Sequence, residues 1–186
     1  MESVKKTVYY TEKDYYSLPD DIRTELIDGE FYDMAAPSQL HQELLIELCS
    51  IIRDHIHKRN GTCKAIPAPF DVKLESGKDN IVQPDISVIC DKEKLDGKRC
   101  NGAPDWIIEI TSPGNVSYDY VKKLKLYQKS GVREYWIVNP DDESIMAYCF
   151  ESDNAKIEAY SFEDTVNSAV IPSLAISFPE ILDSIS

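Results

Sequence analysis

Two apolar runs decide the fold of this chain: Gln83-Pro84-Asp85-Ile86-Ser87-Val88-Ile89-Cys90 and Trp106-Ile107-Ile108-Glu109-Ile110. Each run is short, rich in β-branched side chains and followed by polar residues, so each predicts a buried strand. Asp85 stands at the entrance of the first strand, and Glu109 stands in the middle of the second. Burying an unpaired charge is costly, so Glu109 needs a partner elsewhere in the fold.

The segment after the second run supplies that partner. Asp119, Lys123 and Tyr127 recur every four residues, which places them on one face of a predicted helix. Two carboxylates and an ammonium then converge, a set that can hold Mg²⁺ or Mn²⁺ and stabilise the charge that develops on a phosphate. The pattern therefore indicates phosphodiester cleavage. The alternative is an ordinary helical ion pair of Lys123 with Asp119, which stabilises a helix by roughly 0.2–0.5 kcal/mol.

Other segments predict supporting elements. Thr11 begins a capping box, Asp28-Gly29 is a hairpin turn, and Ser38 can cap a long helix with one apolar stripe. The predicted helices are Glu12–Ser17, a helix from Ser38 to just before Gly61, and a closing turn at Pro179–Leu182. Surface turns are predicted at Glu75–Asn80 and Ser112–Asn115. The predicted strands are Thr24–Ile27, Glu30–Met34, Cys63–Ile66, Phe70–Leu74, Tyr135–Val138, Ser144–Phe150, Ile157–Tyr160 and Leu174–Phe178.

Pro84-Asp85 followed by Glu109 resembles the proline–aspartate and acid-x-lysine pattern of the restriction-endonuclease-like nuclease superfamily. Longer phrases resemble the Uma-type family of restriction endonucleases, from about Thr11 to the C-terminus. These phrases are Glu25-Leu26-Ile27-Asp28-Gly29-Glu30, Pro37-Ser38-Gln39-Leu40-His41, Gln83-Pro84-Asp85-Ile86-Ser87-Val88, Gly102-Ala103-Pro104-Asp105, Glu109-Ile110-Thr111-Ser112-Pro113 and Gly131-Val132-Arg133-Glu134-Tyr135-Trp136-Ile137-Val138.

The resemblance implies an α/β fold in which helices flank a mixed central sheet and β-hairpins extend it, as one domain over residues 1–186. It also implies a Mg²⁺-dependent DNA endonuclease, with Mn²⁺ able to substitute. Asp85, Glu109 and the carbonyl of Ile110 would bind the metal. The usual lysine of the superfamily lies two residues after the second acid, where this chain has Thr111. Lys123 on the following helix is the matching residue.

Several further residues are candidates at the same site. Lys122 and Lys125 are rivals of Lys123 for the catalytic lysine. The supporting candidates are Glu25, because nucleases of this class often add an acid from an early element, together with His41, Gln83 and Tyr127. Their structural alternatives are a hairpin surface charge, a capping histidine, a polar residue beside a buried strand and a core tyrosine. Asp71, on a neighbouring strand, is a weaker candidate.

The formal net charge of −13 disfavours a nucleic-acid partner, because a DNA-binding surface is normally basic. A divalent cation and a local basic strip along Lys122, Lys123, Lys125, Lys129 and Arg133 can compensate for the acidic body. The charge favours an alternative function, a catalytically inactive module that keeps the nuclease fold for binding or assembly.

The five cysteines are widely spaced and form no C-x-x-C pair, so the sequence indicates neither a zinc site nor a disulfide framework. No run of eighteen apolar residues occurs, and Met1–Lys6 leads into no apolar segment, so we expect a cytoplasmic protein without a membrane anchor. Duplex cleavage needs two cuts related by a dyad, which predicts a homodimer. Met146, Tyr148 and Phe150 mark a candidate interface on Ser144–Phe150, although such a stripe is also typical of a core.

Overall fold

The computed structural model describes residues 8–19, 21–112, 119–150 and 155–186, without the side chains of Asp119 and Tyr120. A 3₁₀ turn at Lys92–Lys94 and a π-helical turn at Asp119–Lys123 accompany the regular elements. In chain order those elements are α1 (Glu12–Tyr15), β1 (Thr24–Ile27), β2 (Glu30–Asp33), α2 (Gln39–Lys58), β3 (Lys64–Pro67), β4 (Val72–Glu75), β5 (Asp79–Val82), β6 (Ile86–Ile89), β7 (Cys100–Asn101), β8 (Trp106–Ile110), α3 (Leu124–Ser130), β9 (Glu134–Asn139), β10 (Ser144–Cys149), β11 (Lys156–Ser161), β12 (Thr165–Asn167), β13 (Ala175–Ser177) and α4 (Phe178–Ile185).

The larger sheet is mixed and has the strand order β11-β10-β9-β8-β6-β3. Strands β8 and β9 are parallel, whereas β6 pairs with β8 in the antiparallel direction. A second sheet has the order β2-β1-β5-β4-β7, and β12 and β13 form a small hairpin. The predicted α/β fold with a mixed central sheet and additional hairpins is confirmed.

The two faces of the larger sheet bury different cores, because successive side chains of a strand point to opposite faces. Trp106, Ile108 and Ile110 pack with α2, α4 and the β12–β13 hairpin. Ile107 points the other way and packs with the second sheet and α3. Glu109 shares the face of Ile107, so its carboxylate points toward the second sheet.

Helix α2 covers the first core, as its apolar stripe predicts. Ser38 caps its N-terminus by accepting a hydrogen bond from the backbone N–H of His41 at 3.2 Å. Full burial of one such aliphatic side chain stabilises a fold by roughly 1.5–3 kcal/mol, so the stripe accounts for much of the packing against the sheet. The buried members of the stripe are Leu44, Leu45, Leu48, Ile52 and Ile56.

The strand register brings the two acids of the apolar runs together. In the β6–β8 pair, Ile86 lies opposite Ile108. One further step along this antiparallel register places Asp85 opposite Glu109. Opposed residues of an antiparallel pair point to the same face, so both carboxylates emerge on the side of the second sheet.

One predicted turn differs from the structure, and another lies mostly outside the described residues. The prediction of a turn over Glu75–Asn80 is wrong for its last two residues. Asp79 and Asn80 begin β5, which pairs with both β4 and β1. Asp79–Val82 also binds α1 through a hydrogen bond from the Glu12 N–H to Asp79 at 2.9 Å. These long-range contacts override a local turn composition. The predicted turn at Ser112–Asn115 lies outside the described residues from position 113 onward.

A disulfide joins Cys63 to Cys90, contrary to the prediction that the cysteines are unpaired. The register explains the pairing, since Lys64 lies opposite Ile89 and the next pair is Cys63 with Cys90. Two cysteines that are far apart in the sequence can still be neighbours on paired strands, so their wide spacing did not exclude a disulfide.

The apolar stripe of β10 packs in the core of the chain. Tyr148 is buried, and Met146 and Phe150 are half-buried against the second core. The structural alternative for this stripe is therefore confirmed, and the homodimer stays a prediction. Among the described residues, no helix combines the length and apolar character that crossing a bilayer requires.

Candidate active site

A cleft of about 650 Å³ opens between the hairpin β1–β2, the start of α2 and the ends of β6 and β8. Its floor is polar. The candidate residues that line it are Glu25, His41, Gln83, Asp85, Glu109, Ile110 and Lys123. The structure therefore brings Ile110 and six of the other seven candidate residues to one cavity, while the seventh, Tyr127, contacts Glu109 from outside the lining.

Lys123 is the partner that Glu109 requires. Its ammonium lies 3.0 Å from Oε1 of Glu109 and 2.9 Å from Oε2 of Glu25. The three side chains are between 5% and 9% exposed, so the pairs are shielded from solvent. Lys123, at the end of the π-helical turn, thus brings one positive charge to two carboxylates, Glu109 on β8 and Glu25 on β1.

Tyr127 completes this network from α3. Its hydroxyl donates a hydrogen bond to Oε1 of Glu109 at 2.6 Å, and its side chain is fully buried. Burial, together with the charges of Glu109 and Glu25, raises the pKa of Tyr127 well above its usual value. The hydroxyl therefore remains a donor at neutral pH and holds the Glu109 carboxylate in place.

Asp85 is held by two other contacts. Its Oδ2 accepts a hydrogen bond from the Ile110 N–H at 2.8 Å and lies 3.2 Å from Nε2 of His41. Burial works against the imidazolium form of His41, but the Asp85 carboxylate and the Ile110 backbone outweigh it, so the pKa of His41 is raised. The first turn of α2 and the end of β8 together orient Asp85 toward the cleft.

Gln83 contacts the site through its backbone, while its side chain contacts Asp71 and Tyr15. Its N–H donates to Oε1 of Glu25 at 2.9 Å. Its side-chain amide donates instead to Asp71 at 2.9 Å and to Tyr15 at 3.1 Å. Asp71 thereby belongs to a cluster that fastens α1 to the second sheet.

The rivals of Lys123 point elsewhere. Lys122 contacts the Tyr32 hydroxyl, and its ammonium lies 4.0 Å from the centre of the Tyr32 ring. Lys125 is exposed on α3. The helical face predicted from Asp119 is only partly tested, because Asp119–Lys123 is a π-helical turn and the Asp119 side chain lies outside the described part of the structure.

The sequence reasoning missed the outer part of the cleft. Arg23 and Asp33 lie on its rim. Tyr32, Gln42 and Ser112 also line the cleft, and its apolar wall consists of Met34, Ala35, Pro37, Leu45, Ala68 and Pro69. Except for Leu45, which belongs to the apolar stripe of α2, the residues of this wall come from segments between the regular elements or next to strand ends and follow no periodic pattern, so the signal that could have found them is their position beside Glu25 and His41.

The oxygen donors on the floor are of the type that a hard divalent cation prefers. Three carboxylates, Glu25, Asp85 and Glu109, face one ammonium and one imidazole, which leaves a surplus of negative charge. Mg²⁺ prefers oxygen ligands and is commonly bound by one or two carboxylates plus water and substrate oxygens. In the part of the chain that the structure describes, no three His, Cys, Asp or Glu side chains are arranged to hold a metal ion together.

Comparison with known proteins adds a family and a fold. The profile of the Uma2 family, described as "Putative restriction endonuclease", matches residues 12–179. A solved structure titled a "putative nuclease belonging to DUF820" from Anabaena variabilis ATCC 29413 superposes with a TM-score of 0.77 at 21% sequence identity, covering 95% of this chain and 99% of that one. At that identity the likeness shows the fold. No curated protein matches the chain.

Proposed function

Because this chain belongs to the Uma2 family, we propose that it is a Mg²⁺-dependent endonuclease that hydrolyses phosphodiester bonds in DNA, with Mn²⁺ able to replace Mg²⁺. One observation carries the proposal. The ammonium of Lys123 lies 3.0 Å from Glu109 on the floor of a cleft that Asp85 also lines. A lysine is therefore available beside Glu109 for the catalytic role, even though Thr111 occupies the usual place of that lysine in the sequence.

Asp85, Glu109 and the Ile110 carbonyl would hold the metal, which when bound polarises the phosphate and lowers the pKa of a water. Lys123 would orient the attacking water and stabilise the negative charge that develops on the phosphate. Glu25 positions the Lys123 ammonium, and Tyr127 fixes the Glu109 carboxylate from behind. His41 is the positioning residue of Asp85.

The test combines binding and cleavage. Calorimetry with Mn²⁺ should show weakened binding for Asp85→Asn and Glu109→Gln, while circular dichroism shows that both variants fold. Plasmid or oligonucleotide cleavage with Mg²⁺ or Mn²⁺ should fall by about a hundredfold or more in each variant, the range expected for a lost electrostatic group. Unchanged Mn²⁺ affinity in both variants would end the metal-site proposal.

The formal net charge of −13 favours a second candidate, a nuclease-fold module that binds or assembles without cutting. This candidate predicts that the wild-type protein cleaves no DNA at any concentration of Mg²⁺ or Mn²⁺. It also predicts that Lys123→Ala changes stability and leaves every binding measurement unchanged. Metal-dependent cleavage that is lost in Lys123→Ala would exclude it.

A further inference from the structure

The carboxylates of the site are recessed. Glu25 is 4% exposed and Glu109 is 7% exposed. A phosphodiester therefore has to enter the cleft to reach them. The cleft has a volume of about 650 Å³, inside the range of roughly 300–1,000 Å³ that is typical of sites for small ligands. Such a space fits a short stretch of one strand rather than both strands of a duplex.

The cleft carries too few positive charges to bind the phosphates of a duplex. Proteins that hold duplex DNA often neutralise 6–10 phosphates with basic side chains. Among the described residues that line the cleft, Arg23 and Lys123 carry permanent positive charge, and the Lys123 ammonium is already within 3.0 Å of two carboxylates. Asp33 adds a negative charge on the rim. A duplex backbone laid across this rim would gain little attraction from a body with a formal net charge of −13.

The wall of the cleft offers a different kind of contact. Met34, Pro37, Leu45 and Pro69 present apolar surface beside the acids. Phosphates and sugars of an intact duplex gain nothing from such a surface. An unstacked base has a flat apolar face that packs against it, as bases of single strands do in other proteins.

We propose that the substrate enters this cleft as a single DNA strand, with an unpaired base against the apolar wall and the adjacent phosphate between Arg23 and Lys123. The inference rests on the proposed nuclease function and names its substrate class. Affinity then comes mainly from contact with the base, and few phosphates are neutralised. One active site suffices to cut one strand.

Binding is measured by fluorescence anisotropy in Ca²⁺ with a labelled oligonucleotide, as a single strand and as a duplex with its complement, and a gel verifies that the DNA stays intact. The single strand should bind at least tenfold more tightly. Its log K against log salt should have a slope of about −0.7 to −1.5, since each phosphate contact of a single strand contributes about −0.7. Equal or tighter duplex binding, or a slope steeper than about −4, would overturn the inference.

Matched variants locate the contact. Met34→Asp places a charge on the apolar wall, and Ile46→Asp places the same charge at an exposed apolar position of α2 that does not line the cleft. Arg23→Gln is paired with Arg53→Gln, an exposed arginine of α2 that likewise lies outside the lining. The two cleft variants should lose at least fivefold in single-strand affinity at unchanged unfolding temperature, and the two controls should lose less than twofold. Equal losses within each pair would overturn the inference.

Cleavage in Mg²⁺ and Mn²⁺ separates the two proposals. Faster cutting of the duplex overturns the single-strand inference and leaves the nuclease function standing. Tight and selective single-strand binding without any cleavage overturns the nuclease function and leaves the strand preference standing. Cleavage of the single strand at a higher rate supports both.

Discussion

Replacement of Lys123 by methionine will test the centre of the site, because it removes the ammonium and keeps the apolar stem. The ammonium lies 2.9 Å from Glu25 and 3.0 Å from Glu109. Without it, two buried carboxylates lose their opposite charge, and removing one partner of a buried ion pair destabilises a protein by about 3–5 kcal/mol. A chain of this length loses roughly 2–4 °C in unfolding temperature for each kcal/mol. We therefore expect a decrease of about 10 °C at neutral pH.

Mn²⁺ should restore part of this loss. A divalent cation can neutralise the same carboxylates, and a ligand at a hundredfold excess over its Kd stabilises the folded state by about 2.7 kcal/mol. In the wild-type protein the ammonium of Lys123 competes with the ion for Glu109. Calorimetry should thus show tighter Mn²⁺ binding by Lys123→Met, and thermal unfolding followed by circular dichroism should show a larger gain with Mn²⁺ than in the wild type.

The matched control is Lys122→Met, the same substitution one residue earlier. Lys122 pairs at 3.7 Å with Glu30, whose side chain is 52% exposed, and contacts Tyr32, so this change should lower the unfolding temperature much less than Lys123→Met does. Adding Glu25→Gln to Lys123→Met should recover part of the stability, because one uncompensated charge disappears. An unfolding temperature of Lys123→Met within about 2 °C of the wild type, or an equal gain with Mn²⁺ in both proteins, would refute this electrostatic account.

Three further outcomes follow. Lys123→Ala should lower the cleavage rate by about a hundredfold or more, whereas Lys125→Ala should lose only salt-sensitive binding, as single-turnover cleavage at two salt concentrations can measure. Glu134→Gln should destabilise the fold by roughly 2–4 kcal/mol in urea unfolding, because the new amide would face two of the donors that the carboxylate now satisfies: Trp136 and Ala169 at one oxygen, Ser168 and Val170 at the other. Burial raises the pKa of Glu134, so protonation of Glu134 stabilises the folded state at low pH. This stabilisation is lost as the pH rises from about 4 through the pKa of Glu134 in the folded state. Glu134→Gln should remove this pH dependence, and a urea midpoint unaffected by the substitution would contradict the role of Glu134. Light scattering tests the predicted homodimer, and a mass near 21.1 kDa would contradict it and agree with single-strand cleavage by one site.

The sequence predicted the elements whose pattern is local. The strands that hold Asp85 and Glu109 and the capped helix after Ser38 follow from apolar periodicity and capping chemistry, and the structure has all three. Strand β5 could not be predicted, because its turn-like residues pair with β1 and β4, which are distant in sequence. The Cys63–Cys90 disulfide depends on the register of two strands, which no spacing rule provides.

The sequence predicted the part of the candidate site in which a charged residue interrupts an apolar run. A carboxylate inside an apolar run required a cation, and Lys123 provides it at 3.0 Å from Glu109. Glu25 had no such signal, since an acid on a hairpin arm is ordinary, yet it lies beside the same ammonium. The side-chain amide of Gln83 donates to Asp71 and Tyr15, and the local sequence around Gln83 contains no pattern that could predict these two partners.

The geometry of β8 explains how a lysine can leave its usual position without leaving the site. Residues two apart on a strand share a face, so position 111 points to the same side as Glu109. Thr111 is buried there, and its N–H donates to Val138 at 2.8 Å, which continues the pairing with β9. A lysine at that position would approach Glu109 along the strand, whereas Lys123 approaches it from the π-helical turn above the same face. Both routes deliver an ammonium to one carboxylate, so the chemistry constrains where the charge is located and leaves open which segment of the chain carries it.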